Sequence, residues 1–313
     1  NHEKCTQCGD CASGCNVEGA KITLRESYLA KAVEEPCAAR LLCGATAYSI
    51  RPEELGCKTG WKVRVVPTED IVRFSSLNQA AKEVGVDVVT EVLILSCGTF
   101  ASTELLQRSQ ALWGENLPLS PSLGARFSGN GDLISFSADE TEIVDAIGIG
   151  AERWREKETD DRVGSTITHC VDMRAQQPIN KQLVLQDGAI PGAIASFYNA
   201  MLTLTFEFNQ IAKWHWRYPD EQELEPFLFA DLLSSYQNGA IENALARHTQ
   251  VLLTMGHDDS QGRIVWMSER DASVPYWQQP EEIETYKHQA IVLGKASAQV
   301  KASWIPSPLW QLV

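Results

Sequence analysis

The order of hydrophobic and polar residues in the first part of the chain predicts a strand–turn–helix unit. Alternation in WKVRVV, residues 61–66, indicates a strand. The continuous apolar run VLILS at 92–96 is typical of a strand buried on both faces. STELLQRSQ follows and predicts a helix that starts at Ser102, a good capping residue. The N-terminus of a helix in this position is a ready anion-binding site.

Similar patterns predict further strands and helices along the rest of the chain. Short strand-like segments, separated by turn residues, are LISFS at 133–137, TITHCVDMR at 166–174 and LVLQDGAI at 183–190. Residues 249–269 predict a strand, a polar turn and a second strand. Helices are predicted at 20–35, 193–217 and 281–302, the first with Leu24, Tyr28, Leu29 and Ala32 on one side.

Composition and charge narrow the classes of function. The 313 residues are enough for one large domain or two ordinary ones. A net charge of −14 argues against a general nucleic-acid binder and against electrostatic docking on an anionic membrane. No stretch approaches the ~20 apolar residues of a transmembrane helix. Nine cysteines cannot all pair within one chain, so a reducing, cytoplasmic compartment is the simpler expectation. From the sequences at Asn1 and Val313, we expect both ends to be cut from a longer chain.

A cysteine-rich stretch, CTQCGDCASGC, has the spacing C-x2-C-x2-C-x3-C of a bacterial ferredoxin loop. The thiols that could hold a 4Fe-4S cluster at this spacing are Cys5, Cys8, Cys11 and Cys15. A distant cysteine, such as Cys37 or Cys43, could replace the fourth. However, a two-cluster ferredoxin needs a second run, and Asn16 stands where proline is usual. The other interpretations are a zinc site, which would need a second cysteine pair, and a turn-rich loop with buried thiols or a local disulfide.

Several motifs occur in one order along the chain: CTQCGDCASGC followed by GAKITL and YL, then LSCGTFASTELL, LGARFSGNGD, GSTIT, QDGAIPG and MGHDDSQGRI. In this order they resemble the glucose–methanol–choline family of flavin oxidoreductases, in its cholesterol-oxidase-like branch. The resemblance runs over the whole chain. It departs from the branch at Ile22, where asparagine is usual, at Ser165, where proline is usual, and at Glu18, which looks like an insertion.

The resemblance implies an α/β fold, more closely α+β, with two domains. Residues 1–130 would form part of an FAD-binding domain with the cysteine-rich loop. Residues 131–313 would form a substrate domain with an antiparallel sheet backed by helices. The implied reaction is oxidation of an alcohol, sterol-like or otherwise apolar, in which a base takes the hydroxyl proton and a hydride goes to FAD. The implied electron acceptor is oxygen or a redox carrier.

The resemblance also implies which residues contact the cofactor. The strand-to-helix turn would place Ser96, Gly98, Thr99 and Ser102 against FAD, and the branch's N-G-D loop would place Asn130 and Gly131 near the flavin ring. The alternatives are an ordinary turn before a helix and a plain Asn-Gly turn. The family's G-x-G-x-x-G motif is missing, and its catalytic histidine is expected beyond Val313. We therefore expect this chain alone to be inactive.

Histidines and aromatic residues complete the candidates. No catalytic base is assigned, because none of the six histidines lies in the family's catalytic motif; they are His2, His169, His215, His248, His257 and His288. The aromatic segments at 197–208 and 214–218 predict core packing or, alternatively, the lining of an apolar substrate pocket. Two competing functions stay open, an iron–sulfur electron-transfer protein and a non-catalytic relic that keeps the fold for binding. The 4Fe-4S cluster is an alternative or an addition to FAD, because a flavoenzyme can also carry a cluster.

Overall fold

The computed structural model of the chain describes residues 4–15, 17–149, 162–203, 205, 245–277 and 283–307. Over these residues it combines helices with antiparallel sheets, which agrees with the mixed fold class expected from the sequence. No helix in this part of the chain is both long enough and apolar enough to cross a membrane.

The described residues form the following strands and helices. The strands are β1 (Ala45–Leu55), β2 (Lys58–Pro67), β3 (Val86–Thr90), β4 (Ala125–Phe127), β5 (Leu133–Ala138), β6 (Cys170–Asp172), β7 (Leu183–Gly188), β8 (Gln250–Gly256), β9 (Gly262–Met267), β10 (Ala272–Tyr276) and β11 (Ser303–Pro306). The helices are α1 (Ala30–Val33), which follows a π-helical turn at Arg25–Leu29, α2 (Thr68–Ile71), α3 (Leu77–Glu83), α4 (Gly98–Trp113), α5 (195–203) and α6 (Glu284–Gln299).

The chain divides into two compact units. Unit 1 contains Asn1–Ala30, Asn130–Asp258 and Pro280–Val313, and unit 2 contains Lys31–Gly129 and Asp259–Gln279. The chain passes from unit 2 to unit 1 after Gly129, whereas the sequence predicted a domain boundary between residues 130 and 131. The units are nevertheless discontinuous in sequence, because the first thirty residues group with unit 1 and residues 259–279 group with unit 2.

In unit 2, β1, β2 and β3 form an antiparallel sheet in that order. Leu55 pairs with Lys58, so β1 and β2 are joined by a two-residue turn that begins at Gly56. Gly56 has φ +67°, a left-handed value that glycine adopts freely and that tight hairpin turns require. β3 lies at the edge of this sheet, and its valines at 86, 88 and 89 are exposed.

A small core lies between this sheet and α3. It consists of Tyr48, Val66, Ala80 and Ala81. The helix begins at a good cap, because the Oγ of Ser76 accepts a hydrogen bond from the N–H of Gln79 at 3.1 Å. The alanines have no long side chain, so the helix backbone can approach the sheet closely.

Arg108 of α4 connects several elements of unit 2. Its side chain is only 4% exposed. Its Nη2 donates to Oε1 of Glu104 at 2.6 Å and to the backbone C=O of Asp271 at 2.9 Å, and its Nε donates to Oδ1 of Asp271 at 3.2 Å. The guanidinium also lies over the rings of Tyr48 on β1 and Trp266 on β9, at 5.4 and 5.3 Å from their centroids. One cation thus joins α4 to the first sheet and to the second sheet of unit 2, whose order is β10-β9-β4.

Unit 1 contains an antiparallel five-stranded sheet in the order β11-β5-β8-β7-β6. On one face, Phe136 of β5 and Val251 of β8 are buried with Leu202 of α5. The intervening side chains, such as Ser137 and Leu252, point to the opposite face because strand side chains alternate. α6 lies against β5 and β11. An antiparallel sheet with helices packed on it is therefore present in this part of the chain.

Most predicted elements are confirmed, with shifted ends. Strands are present within the predicted segments 61–66, 133–137, 166–174 and 183–190, two strands are present within 249–269, and helices are present within 20–35 and 281–302. The two strands within 249–269, β8 and β9, belong to different sheets. The helix predicted at 193–217 is observed at 195–203, and residues 206–217 lie outside the described residues.

Two predictions near α4 are wrong. Residues 92–96 do not form a strand, and Val92 and Ile94 are 71% and 81% exposed. The preceding segment, β3, pairs with β2 instead, because a strand needs a partner edge and an apolar run alone does not supply one. The helix also begins earlier than predicted, at Gly98, so Ser102 lies inside its first turns rather than at its cap.

We expect Arg108→Met to lower the free energy of unfolding by about 3 kcal/mol, measured by urea denaturation. Glu104 and Asp271 would lose their shared cation, and breaking a buried ion pair costs about 3–5 kcal/mol. The lower end applies because both carboxylates are partly exposed. The matched control is Arg73→Met, since Arg73 pairs with Asp70 from a side chain that is 71% exposed, and we expect a loss below about 1 kcal/mol. Equal losses in the two variants would contradict the structural role of Arg108.

Candidate functional site

The cysteine-rich loop lies in unit 1 and is fixed by hydrogen bonds to distant segments of that unit. The backbone C=O of Gln7 accepts a hydrogen bond from the N–H of Gly164 at 3.0 Å. The C=O of Cys8 accepts one from the N–H of Ile149 at 2.8 Å. A short 3-10 turn, Cys11–Ser13, follows. The loop is therefore anchored to two distant segments of unit 1.

Asp10 supplies a further anchor for this loop. Its Oδ1 accepts a hydrogen bond from the N–H of Gly192 at 2.7 Å. A side chain on Gly148 would collide with the Asp10 carboxylate. A side chain on Gly192 would collide with the backbone of Gly148. Because Gly148 and Gly192 have no side chains, the Asp10 carboxylate can lie directly against the backbone.

The cysteine-rich loop encloses one side of a cavity of about 210 Å³. The cysteines that line it are Cys5, Cys8, Cys11 and Cys15. Other lining residues include Gly164 and Ala193, which belong to the same unit. The cavity thus brings together the four thiols that the spacing singled out.

The present arrangement of these thiols does not fit a metal centre. All nine cysteines of the chain are free thiols. Across the described residues, no three side chains of His, Cys, Asp or Glu are grouped so that they could hold a metal ion. The Sγ of Cys5 accepts from the N–H of Gln7 at 3.4 Å, and the Sγ of Cys15 donates to the C=O of Val17 at 3.9 Å. At least two of the four sulfur atoms are thus engaged within their own loop, and the distant candidates Cys37 and Cys43 are exposed.

The turn at the start of α4 contains four of the predicted cofactor contacts. Ser96, Gly98 and Thr99 are exposed, and Ser102 is half-buried. The Oγ of Ser102 accepts a hydrogen bond from the N–H of Cys97 at 3.1 Å, which closes the turn. Gly98 has φ +76°, and a side chain built there would meet no atom within 4 Å. The glycine therefore fits a position where the backbone turns sharply beside open space.

The other predicted contacts, Asn130 and Gly131, form a left-handed turn in unit 1. Their φ values are +59° and +60°. Asn130 is exposed, whereas Gly131 is buried, and a side chain on Gly131 would lie 2.8 Å from the backbone of Gly256. The C=O of Gly131 accepts a hydrogen bond from Nε2 of Gln289 at 2.7 Å. Gly131 therefore serves close packing within its own unit, and Asn130 is the residue of this turn that faces solvent.

Asp132, next in the chain, has a perturbed carboxyl group. Partial burial raises the pKa of Asp132, a hydrogen bond from the Asn130 side chain lowers it, and the nearby charge of Asp258 raises it again. The net effect is a pKa above the ordinary value. The folded chain then holds this proton more tightly than the unfolded chain does. Asp132 therefore reduces stability as pH rises through the range just above the ordinary carboxyl pKa.

The described histidines do not form a catalytic group with the predicted residues. His169 is exposed near Asp187, with Nδ1 4.0 Å from Oδ1. Nδ1 of His248 lies 2.9 Å from the backbone C=O of Glu140. His257 contributes its backbone C=O, which accepts from Oγ1 of Thr285. His288 is half-buried on α6, and His2 and His215 lie outside the described residues.

Residues of the aromatic segment that begins at position 197 differ in how deeply they are buried. Tyr198 packs on Phe136, with ring centroids 6.0 Å apart, and Leu202 is fully buried in the same core. Phe197 is 56% exposed. The described part of the segment therefore serves core packing, apart from Phe197. The second aromatic segment, 214–218, lies outside the described residues.

Sequence reasoning missed two residues that shape these loops. Asp10 was available only as the polar residue between two cysteines, and nothing local indicated its contact with Gly192. Asp132 belonged to the recognised N-G-D motif, yet its pKa is raised mainly by partial burial and further by Asp258, and both conditions arise only on folding. For Asp10, the sequence signal that could have been used was the presence of glycine at positions 148 and 192, since glycine permits a close approach of backbone segments.

Comparison with protein-family models finds no match for this chain, and comparison with curated proteins finds none either. The resemblance to flavin oxidoreductases therefore depends on the sequence motifs alone.

We expect Asp10→Ala to lower the free energy of unfolding by about 1–3 kcal/mol, because the half-buried N–H of Gly192 would lose its acceptor. Hydrogen exchange should show the same change locally, with faster exchange of the Gly192 amide. Asp10→Asn is the matched control, because its side-chain oxygen can still accept the bond, and it should retain most of the stability. Equal losses in both variants would contradict the hydrogen-bond explanation and indicate that the charge matters instead.

Two substitutions should move the pKa of Asp132 in opposite directions. Asp258→Asn removes a neighbouring negative charge and should lower the pKa of Asp132. Asn130→Gly removes the hydrogen bond to the carboxylate and should raise that pKa, while glycine tolerates the left-handed backbone. The measurement is an NMR titration of the Asp132 carboxyl carbon in each variant. Shifts in the same direction would refute this account of the group.

Proposed function

We propose that this chain is part of an FAD-dependent oxidoreductase that oxidises an alcohol. The proposal follows from motifs that occur in the order found in glucose–methanol–choline oxidoreductases. Bound FAD would supply the two-electron acceptor that turns the carbinol carbon into a carbonyl carbon. The chain itself would bind and orient the cofactor, and none of its described histidines is assigned as the base.

The observation that carries the proposal is the turn at the start of α4. Gly98 lies in a left-handed conformation beside open space, and the exposed Ser96 and Thr99 flank it. α4 has 16 residues, and the first N–H groups of a helix have no partner within the helix. A phosphate or ribose oxygen could accept hydrogen bonds from such groups without a steric conflict at Gly98.

The second cofactor contact and the substrate are assigned to unit 1. Asn130 is exposed in a left-handed turn and is proposed to lie near the flavin ring, whereas Gly131 is assigned the role of shaping that turn. Within 131–313, we assign the five-stranded sheet and its helices to the substrate domain. An apolar, sterol-like alcohol remains the proposed substrate class, and Phe197 is the exposed aromatic residue that supports it. Oxygen or a redox carrier would reoxidise the flavin.

The second candidate is an iron–sulfur electron-transfer protein. It is favoured by one observation, the cavity of about 210 Å³ lined by four cysteines at ferredoxin spacing. It is weakened by the absence, among the described residues, of a grouping of side chains that could hold a metal. A cluster would therefore require the loop side chains to rearrange. Iron and sulfide assays test this candidate, and a flavin assay on the same sample shows whether a cluster is present instead of FAD or in addition to it.

The first experiment is purification of the full gene product, followed by its absorption spectrum, its FAD content, and its iron and sulfide contents. We expect bound flavin without stoichiometric iron, and bleaching of the flavin when an apolar alcohol is added without oxygen. Stoichiometric iron and sulfide without flavin would overturn the proposal in favour of electron transfer. Absence of both groups would overturn both candidates.

A pair of glycine variants tests the turn itself. Gly98→Asn tolerates the left-handed backbone but adds a side chain where the cofactor is proposed, so FAD occupancy should fall at least roughly tenfold. Gly56→Asn is the matched control in the turn between β1 and β2, since Gly56 also has a positive φ and open space around it, and asparagine suits such a turn. The control should keep its FAD. Equal occupancy in the two variants would remove Gly98 from the proposed cofactor site.

A further inference from the structure

A second cavity of unit 1, of about 230 Å³, has features of a built ligand site. It lies between α6 and the face of the five-stranded sheet that α5 does not cover. Strand register brings its walls together, because Asp187 of β7 pairs with Leu252 of β8, and Gln250 of β8 pairs with Ser137 of β5. Ser297, near the end of α6, lines the cavity too.

Two serines that line this cavity have buried hydroxyl groups without partners. Ser137 and Ser297 are each only 2% exposed. Neither Oγ has a hydrogen-bond partner in the structure. A buried hydroxyl that lacks a partner is unfavourable, so its environment calls for a group that can hydrogen-bond to it. Because both serines line the cavity, a molecule bound in the cavity is the available source of that group.

The rest of the wall is mainly apolar. Leu185, Leu252, Val171 and Val300 all line the cavity. The volume is several times that of a water molecule, and water beside these side chains would find few partners. An apolar body would displace such water favourably, while a polar end could reach the serines.

Asp187 sets the charge at the cavity wall. Its Oδ1 accepts hydrogen bonds from the N–H of Thr168 at 3.0 Å and of His169 at 2.7 Å. Its Oδ2 accepts from Oγ1 of Thr168 at 3.3 Å. The carboxylate is therefore held in place by the segment before β6. A fixed negative charge at the wall disfavours an anionic ligand.

We propose that this cavity binds a small uncharged molecule with an apolar body and a hydroxyl group directed at Ser137 and Ser297. A hydroxyl group suits two serines because it can accept from one and donate to the other. This inference rests on the cavity alone and does not depend on the proposed FAD chemistry.

The test uses the full chain and three ring compounds of similar shape, with binding followed by NMR shifts of the Leu185 and Leu252 methyl groups. We expect saturable shifts with cyclohexanol. Methylcyclohexane, in which a methyl group replaces the hydroxyl, should bind roughly tenfold more weakly, the change expected for about one hydrogen bond. Cyclohexanecarboxylate should not bind at neutral pH, and Asp187→Asn should allow it to bind.

Serine variants identify the groups responsible. Ser137→Ala and Ser297→Ala should each weaken cyclohexanol binding severalfold and leave methylcyclohexane binding unchanged. The matched control is Ser135→Ala, because Ser135 lies on the same face of β5 and its buried Oγ also lacks a partner, but it does not line the cavity. The proposal is overturned if no compound binds, if methylcyclohexane binds as well as cyclohexanol, or if Ser135→Ala has the same effect as the cavity variants.

Discussion

The buried guanidinium of Arg108 is the interaction on which unit 2 depends most. A charge that is almost fully removed from water is tolerated only where its donors find acceptors. Here Glu104 lies one turn earlier on the same helix, Tyr48 comes from β1, and Asp271 lies in the turn between β9 and β10. Because the guanidinium is planar and has five N–H donors, it can serve these partners at once, which a lysine could not. The position of α4, and hence of the turn at Gly98, follows from this requirement.

Local patterns predicted the strands and helices well where one segment determines its own structure. The alternation at 61–66 and the periodicity at 281–302 both gave elements of the right type. The failure at 92–96 has a physical reason, since pairing depends on which edge is available and β3 pairs with β2 instead. The start of α4 was predicted at Ser102 but lies at Gly98. Ser102 still forms a cap-like hydrogen bond, because its Oγ accepts from the N–H of Cys97 and closes the turn from within the helix.

The candidate sites were predictable in part. Motif resemblance singled out Gly98, and the structure gives that glycine a left-handed backbone beside open space. The motif resemblance could not show that Asn130 is exposed and Gly131 is buried, because Gly131 packs against the backbone of Gly256, which is far away in the sequence. Asp10 and Gly192, 182 residues apart, illustrate the same limit. The serines at 137 and 297 carry no sequence signal at all, since only the packing of α6 on the sheet makes them unpartnered.

The exposed valines of β3 have a practical consequence for handling the protein. Within the described residues, the outer edge of β3 has no partner strand, and a free edge of this kind is a template for pairing between molecules. The segment VDVVT contains no lysine or proline to block such pairing. The net charge of −14 keeps molecules apart at neutral pH, and added salt or acid weakens that repulsion. Colloidal stability should therefore be greatest in dilute, slightly alkaline buffer.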